Sequence, residues 1–581
     1  MTHTKKWILP AAITQEADTA LGAYPEPLRQ ILSKRGYNTQ ESAQAFLNAR
    51  PPASTDPFQL KDMEAAVDRI QYAVDHGERI AVYGDYDVDG VTATALLHQA
   101  LRSLDADVRG YIPHRFDEGY GLNNEALDTL HSEGVRLVIT VDCGIRSPDE
   151  ISHARALGLA LIITDHHRPA DGELPPAHAI LDPKRSDDTY PDKDLAGVGI
   201  AYKLVQALLA TWGRGDGDPS SALAEPATEQ LVRSLLDLVA LGTVADLAPL
   251  VGENRSLVRA GLKVMAGRQR QGLYALANVA GIPLQKATSA HIGYVLGPRL
   301  NAAGRLESAT AALELLMTED VQRAGQLAQH LDAQNRARQA LTRTTQEQAE
   351  MMARSDDPDA YLLFAAHPEF NAGVVGLAAS RLTDAYYRPA VVAATGPEET
   401  RGSCRSIPEF NITEALDRCK ELLVRHGGHS AAAGFTVRNE NLPELISRLK
   451  QLAAEALSGH DLRPTMTVDA EIPLTSVRPH LLDLLAELEP TGYGNPDASF
   501  VSRDVRVRSS RAVGAEGRHL KLVVEDEKGF SHDVIGFRLG HLLPQLPSRV
   551  DLLYSYEINE YNGRIGYQLN LRDLRPAGME D

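Results

Sequence analysis

Three apolar runs in the first third of the chain break off at acidic or imidazole side chains. "ERIAVYG" leads into "DYDVDG", "VRLVITVDCG" ends at Asp142, and "LGLALIITDHHRP" ends at Asp165, His166 and His167. Short, partly β-branched runs of this kind predict buried strands. "VTATALLHQALRSL", after the first of them, has the apolar spacing of a helix. The local unit is therefore strand, acidic turn, helix. Further on, "LLDLVALGTVADLAPL" reads as a helical run with Asp246 just beyond it. In open α/β sheets ligands bind outside the carboxyl ends of the strands. Three consecutive strands are thus expected to deliver carboxylates and imidazoles to one edge.

The pattern changes twice more. From Ser308 to about Arg354 glycine and proline nearly vanish, which predicts long helices joining two domains. No sustained heptad supports a coiled-coil seam there. "AYLLFAAHP" and "RPAVVAAT" predict strands of a second α/β unit. After "GHDLRPT" the texture becomes alternating short strands with hairpin turns such as "YNGR", which predicts a small antiparallel barrel. "TWGRGDGDPSSALAEPATEQ" (Thr211 to Gln230) reads as a surface loop or insertion.

Length and composition narrow the class. The 581 residues exceed what one core organises and imply three or four domains. No apolar run is long enough to span a bilayer, and no secretory signal is apparent at the N-terminus. Three cysteines without a CxxC pair argue against a disulfide framework and a structural zinc site, and fit a reducing cytoplasm. The net charge of −19 argues against non-specific coating of nucleic acid. It leaves room for a nuclease, whose metal cluster itself requires carboxylates. Six basic residues against two acidic ones between Arg503 and Lys521 give the barrel a basic face.

"DYDVDG" opens like a calcium-binding EF-hand loop, but the twelfth position, where a bidentate acid belongs, is Leu96. The flanking strand also departs from the helix–loop–helix plan. A single Asp at a strand end is commonly a helix cap. Asp87, Asp89, Asp142, His166 and Asp246 together form a mixed carboxylate–imidazole set, which suits Mn²⁺ or Mg²⁺ better than zinc. Close unpaired carboxylates repel, and a cation resolves the conflict.

"DYDVDG", "VDCG", "TDHH" and "GTVADLAPL", in this order, resemble the four motifs of the DHH phosphoesterase superfamily. "GPRLNAAGRLESA", "GSCRSIPEFNITEAL", "RHGGHSAAAGF" and "LEPTGYGNP" resemble, within it, the RecJ family of bacterial single-strand exonucleases. The resemblance spans nearly the whole chain. It implies two α/β lobes (DHH and DHHA1) joined by a long helical linker, plus a C-terminal OB-fold. The expected division is an N-terminal extension at 1–48, a DHH domain at 49–310, a linker at 311–355, a DHHA1 domain at 356–460 and an OB-fold at 461–581. One metal is then expected at Asp89, Asp142, His166 and Asp246, and a second at Asp142 and Asp87 with Asp85 near it. Many relatives place a His where this chain has Tyr83, which offers no imidazole ligand. His167 is expected to face the scissile phosphate, with Asp165 orienting an imidazole.

The resemblance also implies a site for the 5′ phosphate at Arg115, Arg305, Ser403 and Arg405. Arg299, Asn301 and His429 are further candidates for contact with DNA. From the residues alone each Arg could equally be a surface ion pair. "HGGHSAAAGF" reads either as a tight turn entering a packed element or as glycines that admit a substrate backbone beside His429. Tyr554, Tyr556, Tyr561 and Tyr567 are either base-stacking platforms or ordinary strand packing. The activity implied is metal-dependent, 5′ to 3′ removal of mononucleotides from single-stranded DNA, in repair and recombination. The implied partners are a single-strand-binding protein and a RecQ-type helicase, with no membrane role and a monomeric enzyme. Two alternatives keep the fold: hydrolysis of short oligonucleotides or cyclic dinucleotides, and a non-catalytic binding module. The long-polymer features of the barrel and the intact motifs weigh against them.

Overall fold

The structure is a computed structural model of the chain. It describes residues 5–115, 118–119, 121–170, 172–212, 226–267, 270–357, 359–561 and 564–579. The chain divides into two compact units, the first holding most of residues 7–332 and 466–581, the second most of 333–465.

The first unit contains a five-stranded, fully parallel sheet of β1 (Arg79–Gly84), β2 (Val108–Tyr111), β3 (Val135–Val141), β4 (Ala160–Thr164) and β5 (Ala179–Leu181). The order across the sheet is β2–β1–β3–β4–β5. β1, β3 and β4 are nearly continuous in buried apolar side chains because helices cover both faces. Helix α1 (Val88–Arg102) follows β1, and α2 (Gly197–Thr211) and α3 (Leu236–Ala245) pack against it. The strand order reverses between β1 and β3, so the crevice at their carboxyl ends is the switch point where such sheets bind ligands.

The same unit contains the barrel. Its strands are β11 (Phe500–Val513), β12 (His519–Glu525), β13 (Ser531–Gly536), β14 (Arg549–Tyr561) and β15 (Arg564–Pro576). The ring runs β11–β12–β13–β15–β14 and closes between β14 and β11. One pairing, β13 with β15, is parallel, where an entirely antiparallel barrel was expected. The crossing Gly540–Gln545 turn carries the chain away from β13, and the β14–β15 hairpin then returns alongside it. The N-terminal helices Gln15–Ala20, Glu26–Lys34 and Gln40–Leu47 do not form a separate extension. Leu28, Ile31, Leu32 and Leu47 share one core with Ile472, Val505, Leu522 and Leu552 of the barrel region.

Tyr554 is wholly buried and shares a 2.8 Å hydrogen bond with Ser502, and Tyr556 is buried too. Neither can stack on a base. Tyr567 is half exposed, while the Tyr561 side chain and the turn residues 562–563 lie outside the described residues. Of the basic cluster, Arg503 pairs with Asp551, Arg508 with Glu525, Arg518 with Glu516 and Lys521 with Asp533. The basic face is therefore largely neutralised. Residues 213–225 of the expected surface loop are outside the description, and its end belongs to a helix, Pro226–Ser234.

The helix Val321–Asp356 carries the chain from one unit into the other. In the second unit β6 (Leu363–His367), β7 (Ala390–Thr395), β8 (Glu399–Arg405), β9 (Leu423–His429) and β10 (Ala432–Arg438) form a mixed sheet ordered β9–β10–β8–β7–β6. "HGGH" is the end of β9 and enters a hairpin. No helix among the described residues is long and apolar enough to cross a membrane.

Candidate metal centre

The site is built at the switch point by backbone constraints that precede any ligand. Gly90 starts α1 so close to the turn that a Cβ there would lie 2.5 Å from the Asp85 backbone. Asp87 caps that helix, its Oδ1 accepting from the N–H groups of Asp89 (2.8 Å) and Gly90 (3.2 Å). The cap reading of an isolated Asp is thus true of Asp87, and it leaves the second oxygen available. Asp89 is 1% exposed. Its oxygens accept from Gly197 N–H at 2.7 Å and Val198 N–H at 2.9 Å, at the start of α2. Glycine is required at 197, where a Cβ would stand 2.9 Å from Asp142 Cβ and 3.0 Å from Asp89 Oδ2.

Asp142 follows β3 with φ of +61°, a left-handed conformation costly to a non-glycine residue. Its Oδ1 lies 3.0 Å from His166 Nε2. Neither atom has a hydrogen-bond partner, and nor does Asp85 Oδ1. Asp89 Oδ2 and Asp246 Oδ2 each lie 3.8 Å from the same His166 nitrogen. Three overlapping sets of potential ligand atoms result: Asp89, His166 and Asp246; Asp85, Asp87 and Asp142; and Asp142, His166 and His167.

Electrostatics support the same reading. Burial, and then the Asp87 charge, push Asp89 up to about 7. Burial, and then the Asp89 charge, push Asp246 up to about 9. Asp85 and Asp142 are raised well above the carboxylate range by burial and by their acidic neighbours. Burial, followed by the neighbouring His167, lowers His166 to about 3, so its ring is neutral and a metal-binding lone pair is available. Uncompensated buried carboxylates with orphaned oxygens and a neutral imidazole fit one or two hard divalent cations.

Asp165 plays a different part. It accepts from the N–H groups of Ile145, His166 and His167 and is bonded to His167 Nδ1 at 2.8 Å. Burial raises its pKa, but the hydrogen bond and charge of His167, together with the other donors, outweigh that and hold it low. The same bond counters the burial of His167 and raises the imidazole. Tyr83 is fully buried and its hydroxyl donates to Gly121 O at 3.0 Å. It belongs to the core beneath the site.

The expected substrate residues separate into groups. Asn301 Oδ1 accepts from Val88 N–H (3.2 Å), which ties it to the first motif. Arg115 lies over the Tyr86 ring at 4.3 Å, and the charges of both Arg115 and Arg305 act on Tyr86. Arg299 is instead held by Asp332 (3.0 Å) and the Val295 carbonyl (2.8 Å), so a structural ion pair occupies it. Ser403, Arg405 and His429 belong to the second unit, where a Cβ on Gly376 would be 3.3 Å from Arg405 Nη2 and 3.5 Å from Ser403 Oγ. Sequence reasoning missed Lys184, whose charge acts on Asp246 and His166. It also missed the Gly197 and Val198 amides. The only signal for Lys184 was "LDPKR", at the end of the short fifth strand.

A flavodoxin-ordered parallel sheet whose strand ends gather five aspartates and two histidines defines a phosphoesterase of the DHH class. The DHH family N-terminal domain matches residues 79–243, the DHHA1 domain 359–455 and the RecJ OB domain 468–573. The chain is 36% identical over 567 residues to the single-stranded-DNA-specific exonuclease RecJ of Escherichia coli, covering 95% of this chain and 96% of that one. It is 39% identical over 547 residues to the Bacillus subtilis protein of that name, covering 94% and 67%. The crystal structure of RecJ from Thermus thermophilus in complex with Mn²⁺ matches with a TM-score of 0.83 at 30% identity, covering all of this chain and 81% of that one. The chain belongs to the RecJ family of single-stranded-DNA-specific exonucleases.

Proposed function

We propose that this chain hydrolyses single-stranded DNA from the 5′ end and releases mononucleotides, using Mn²⁺ or Mg²⁺. The observation that carries the reading is the convergence of Asp85, Asp87, Asp89, Asp142, His166 and Asp246 at the sheet's switch point, with orphaned ligand atoms on Asp85, Asp142 and His166. Asp89, Asp142, His166 and Asp246 would hold one ion, and Asp85, Asp87 and Asp142 the other. Bound there, divalent ions supply Lewis acidity toward a phosphodiester and lower the pKa of coordinated water.

The chain's own groups do the rest. Asp165 holds His167 through Nδ1, and His167 is assigned to the scissile phosphate, where it would carry a proton to the leaving oxygen. Lys184 offsets part of the negative charge of the cluster. Arg115 and Arg305 on the first unit, and Ser403, Arg405 and His429 on the second, are assigned to phosphates of the strand, where guanidinium forks suit phosphate oxygens. Requirement for a terminal 5′ phosphate would set the direction of hydrolysis.

On this reading the expected domain boundaries correspond to catalytic lobe, linker, substrate lobe and barrel. The enzyme acts as a monomer in the bacterial cytoplasm, in repair and recombination. A single-strand-binding protein and a RecQ-type helicase, which present and generate such strands, are its proposed partners. The test is a 5′-phosphorylated single strand labelled at its 3′ end, incubated with Mn²⁺, with Mg²⁺ and with EDTA, beside a blunt duplex of the same sequence. Progressive 5′ shortening of the single strand alone, abolished by EDTA, is expected. Equal digestion of the duplex, or shortening from the 3′ end, would overturn the proposal.

A further inference from the structure

The turn that gathers the carboxylates also carries an aromatic ring that the reaction outlined above leaves unused. Tyr86 stands between Asp85 and Asp87 in "DYDVDG". Both neighbours belong to the candidate ion site, whereas a phenol ring is no ligand for a hard cation. The ring packs against the apolar core of the first unit and stays partly exposed. The bland reading of such a residue is core packing at the rim of the sheet. Two contacts go beyond it.

The first is with Arg115, in the loop that follows β2. Its guanidinium lies over the Tyr86 ring, with Cζ 4.3 Å from the centroid. The negative face of the ring attracts a cation placed there. The second is with the helix Gly297–Leu306, which carries Arg305. A Cβ on Gly304 would stand 2.8 Å from the Tyr86 carbonyl oxygen and 3.6 Å from Tyr86 Cβ. Asn301 of the same helix accepts from Val88 N–H at 3.2 Å. The helix is thus fastened to the turn at two points, next to Arg305. The positive charges of Arg115 and Arg305 are both felt at Tyr86, and that of Arg115 also at Asp85. One residue therefore adjoins both guanidinium groups that the first unit offers to the 5′ phosphate, and it is bonded on either side to a candidate ion ligand.

We propose that Tyr86 is a positioning residue, whose ring seats the Arg115 guanidinium for the 5′ phosphate and keeps that phosphate at a set distance from the ions. This rests on the single-strand exonuclease reading, with Arg115 as a contact of the 5′ phosphate. A long arginine side chain on a loop surrenders rotamer freedom when it binds, and a ring that already holds the guanidinium reduces the loss. A phosphate anchored at a fixed distance from the ions brings the same phosphodiester over them in every cycle. The ring face carries the effect and the hydroxyl does not, so phenylalanine should serve where leucine fails.

The test compares Tyr86→Phe, which keeps the ring face, with Tyr86→Leu, which keeps apolar bulk and removes the face. Steady-state hydrolysis in Mn²⁺ is measured on one single strand bearing either a 5′ phosphate or a 5′ hydroxyl, and Mn²⁺ binding is measured calorimetrically. The parent chain should favour the phosphorylated strand through KM. Tyr86→Leu should raise KM for that strand roughly 3- to 10-fold, the strength of a partly buried cation–ring contact. It should leave kcat, Mn²⁺ affinity and KM for the hydroxyl strand unchanged, so that the preference shrinks. Tyr86→Phe should match the parent. With Arg115→Ala in place, Tyr86→Leu should add nothing. A Tyr86→Leu chain with the parent's KM and preference would overturn the positioning role alone. So would a loss confined to kcat or Mn²⁺ binding, or an equal loss in both Tyr86 variants. A parent chain indifferent to the 5′ group would overturn the 5′-phosphate site and the positioning role together. A parent chain that hydrolyses neither strand would overturn the exonuclease reading itself.

Discussion

At Asp142 a strained backbone and an orphaned carboxylate oxygen coincide, 3.0 Å from an imidazole nitrogen that also has no partner. Strain and desolvation of this size are tolerated where a bound cation returns more than they cost. Asp142→Asn should therefore cut hydrolysis by roughly 100-fold or more, exceeding the effect usual for groups outside the ligand sphere, and abolish thermal stabilisation by Mn²⁺. Asp165→Asn acts differently, because Asp165 holds His167. It should reduce the rate about 10- to 100-fold and move the alkaline limb of the pH–rate profile to lower pH, since the carboxylate raises the imidazole. An unchanged limb would remove His167 from proton transfer. The buried acids also predict how the metal-free chain responds to pH. Asp89 and Asp246 hold their protons in the folded state up to about 7 and about 9, against about 3.9 when unfolded. The folded state binds more protons through that window, so stability is present at low pH and falls as pH rises toward 9. Melting in EDTA between pH 5 and 9 should show the fall, and Mn²⁺ should reverse it. A flat profile would contradict the shifted carboxylates.

The strand–turn–helix elements owe their precision to glycine. Gly197→Ala would drive a Cβ into Asp142 and Asp89. It should cost about 1–3 kcal/mol of stability and a loss of activity larger than any loss of strand binding. β1, β3 and β4 were legible in the sequence because strands covered on both faces read as unbroken apolar runs, and their terminal acids stood at the ends of those runs. β2 and β5 were not. They have four and three residues, and only Val108 of β2 is buried. Lys184, just beyond β5, was lost with its strand. The amides of Gly197 and Val198 were invisible because backbone donors have no side-chain signature. Arg299 is a candidate for contact with DNA in the sequence, which shows a guanidinium in a glycine-marked segment but not its partner Asp332, 33 residues away.

On the scale of the whole molecule, the first unit is held together by contacts that no local pattern announces. Arg255, in the helix Gly252–Ala266, is almost fully buried. Its guanidinium donates to the carbonyls of Phe46, Glu487, Leu488, Glu489 and Pro490 and lies 4.1 Å from the Phe46 ring centroid. Burial lowers its pKa to about 10, so it is still charged at neutral pH. One side chain thus joins the catalytic sheet's helices, the N-terminal helices and the segment entering the barrel. Arg255→Ala would remove five hydrogen bonds and the contact with the Phe46 ring, and should destabilise the first unit by about 3 kcal/mol or more. In calorimetry the transition of the second unit should be spared. The shared core of the N-terminal helices and the barrel was hidden in the same way, because an amphipathic helix shows which face it buries but not what covers it.

The central claim, that the strand-end carboxylates and His166 hold the ions that make this chain a nuclease, is tested most directly by one paired measurement. Mn²⁺ is titrated calorimetrically into the chain and into Asp142→Asn, and the same samples are assayed on the 5′-phosphorylated single strand. The account predicts Mn²⁺ binding by the parent chain, loss of that binding in the variant, and hydrolysis that falls with it. A variant that binds Mn²⁺ as the parent does and still shortens the strand would contradict it.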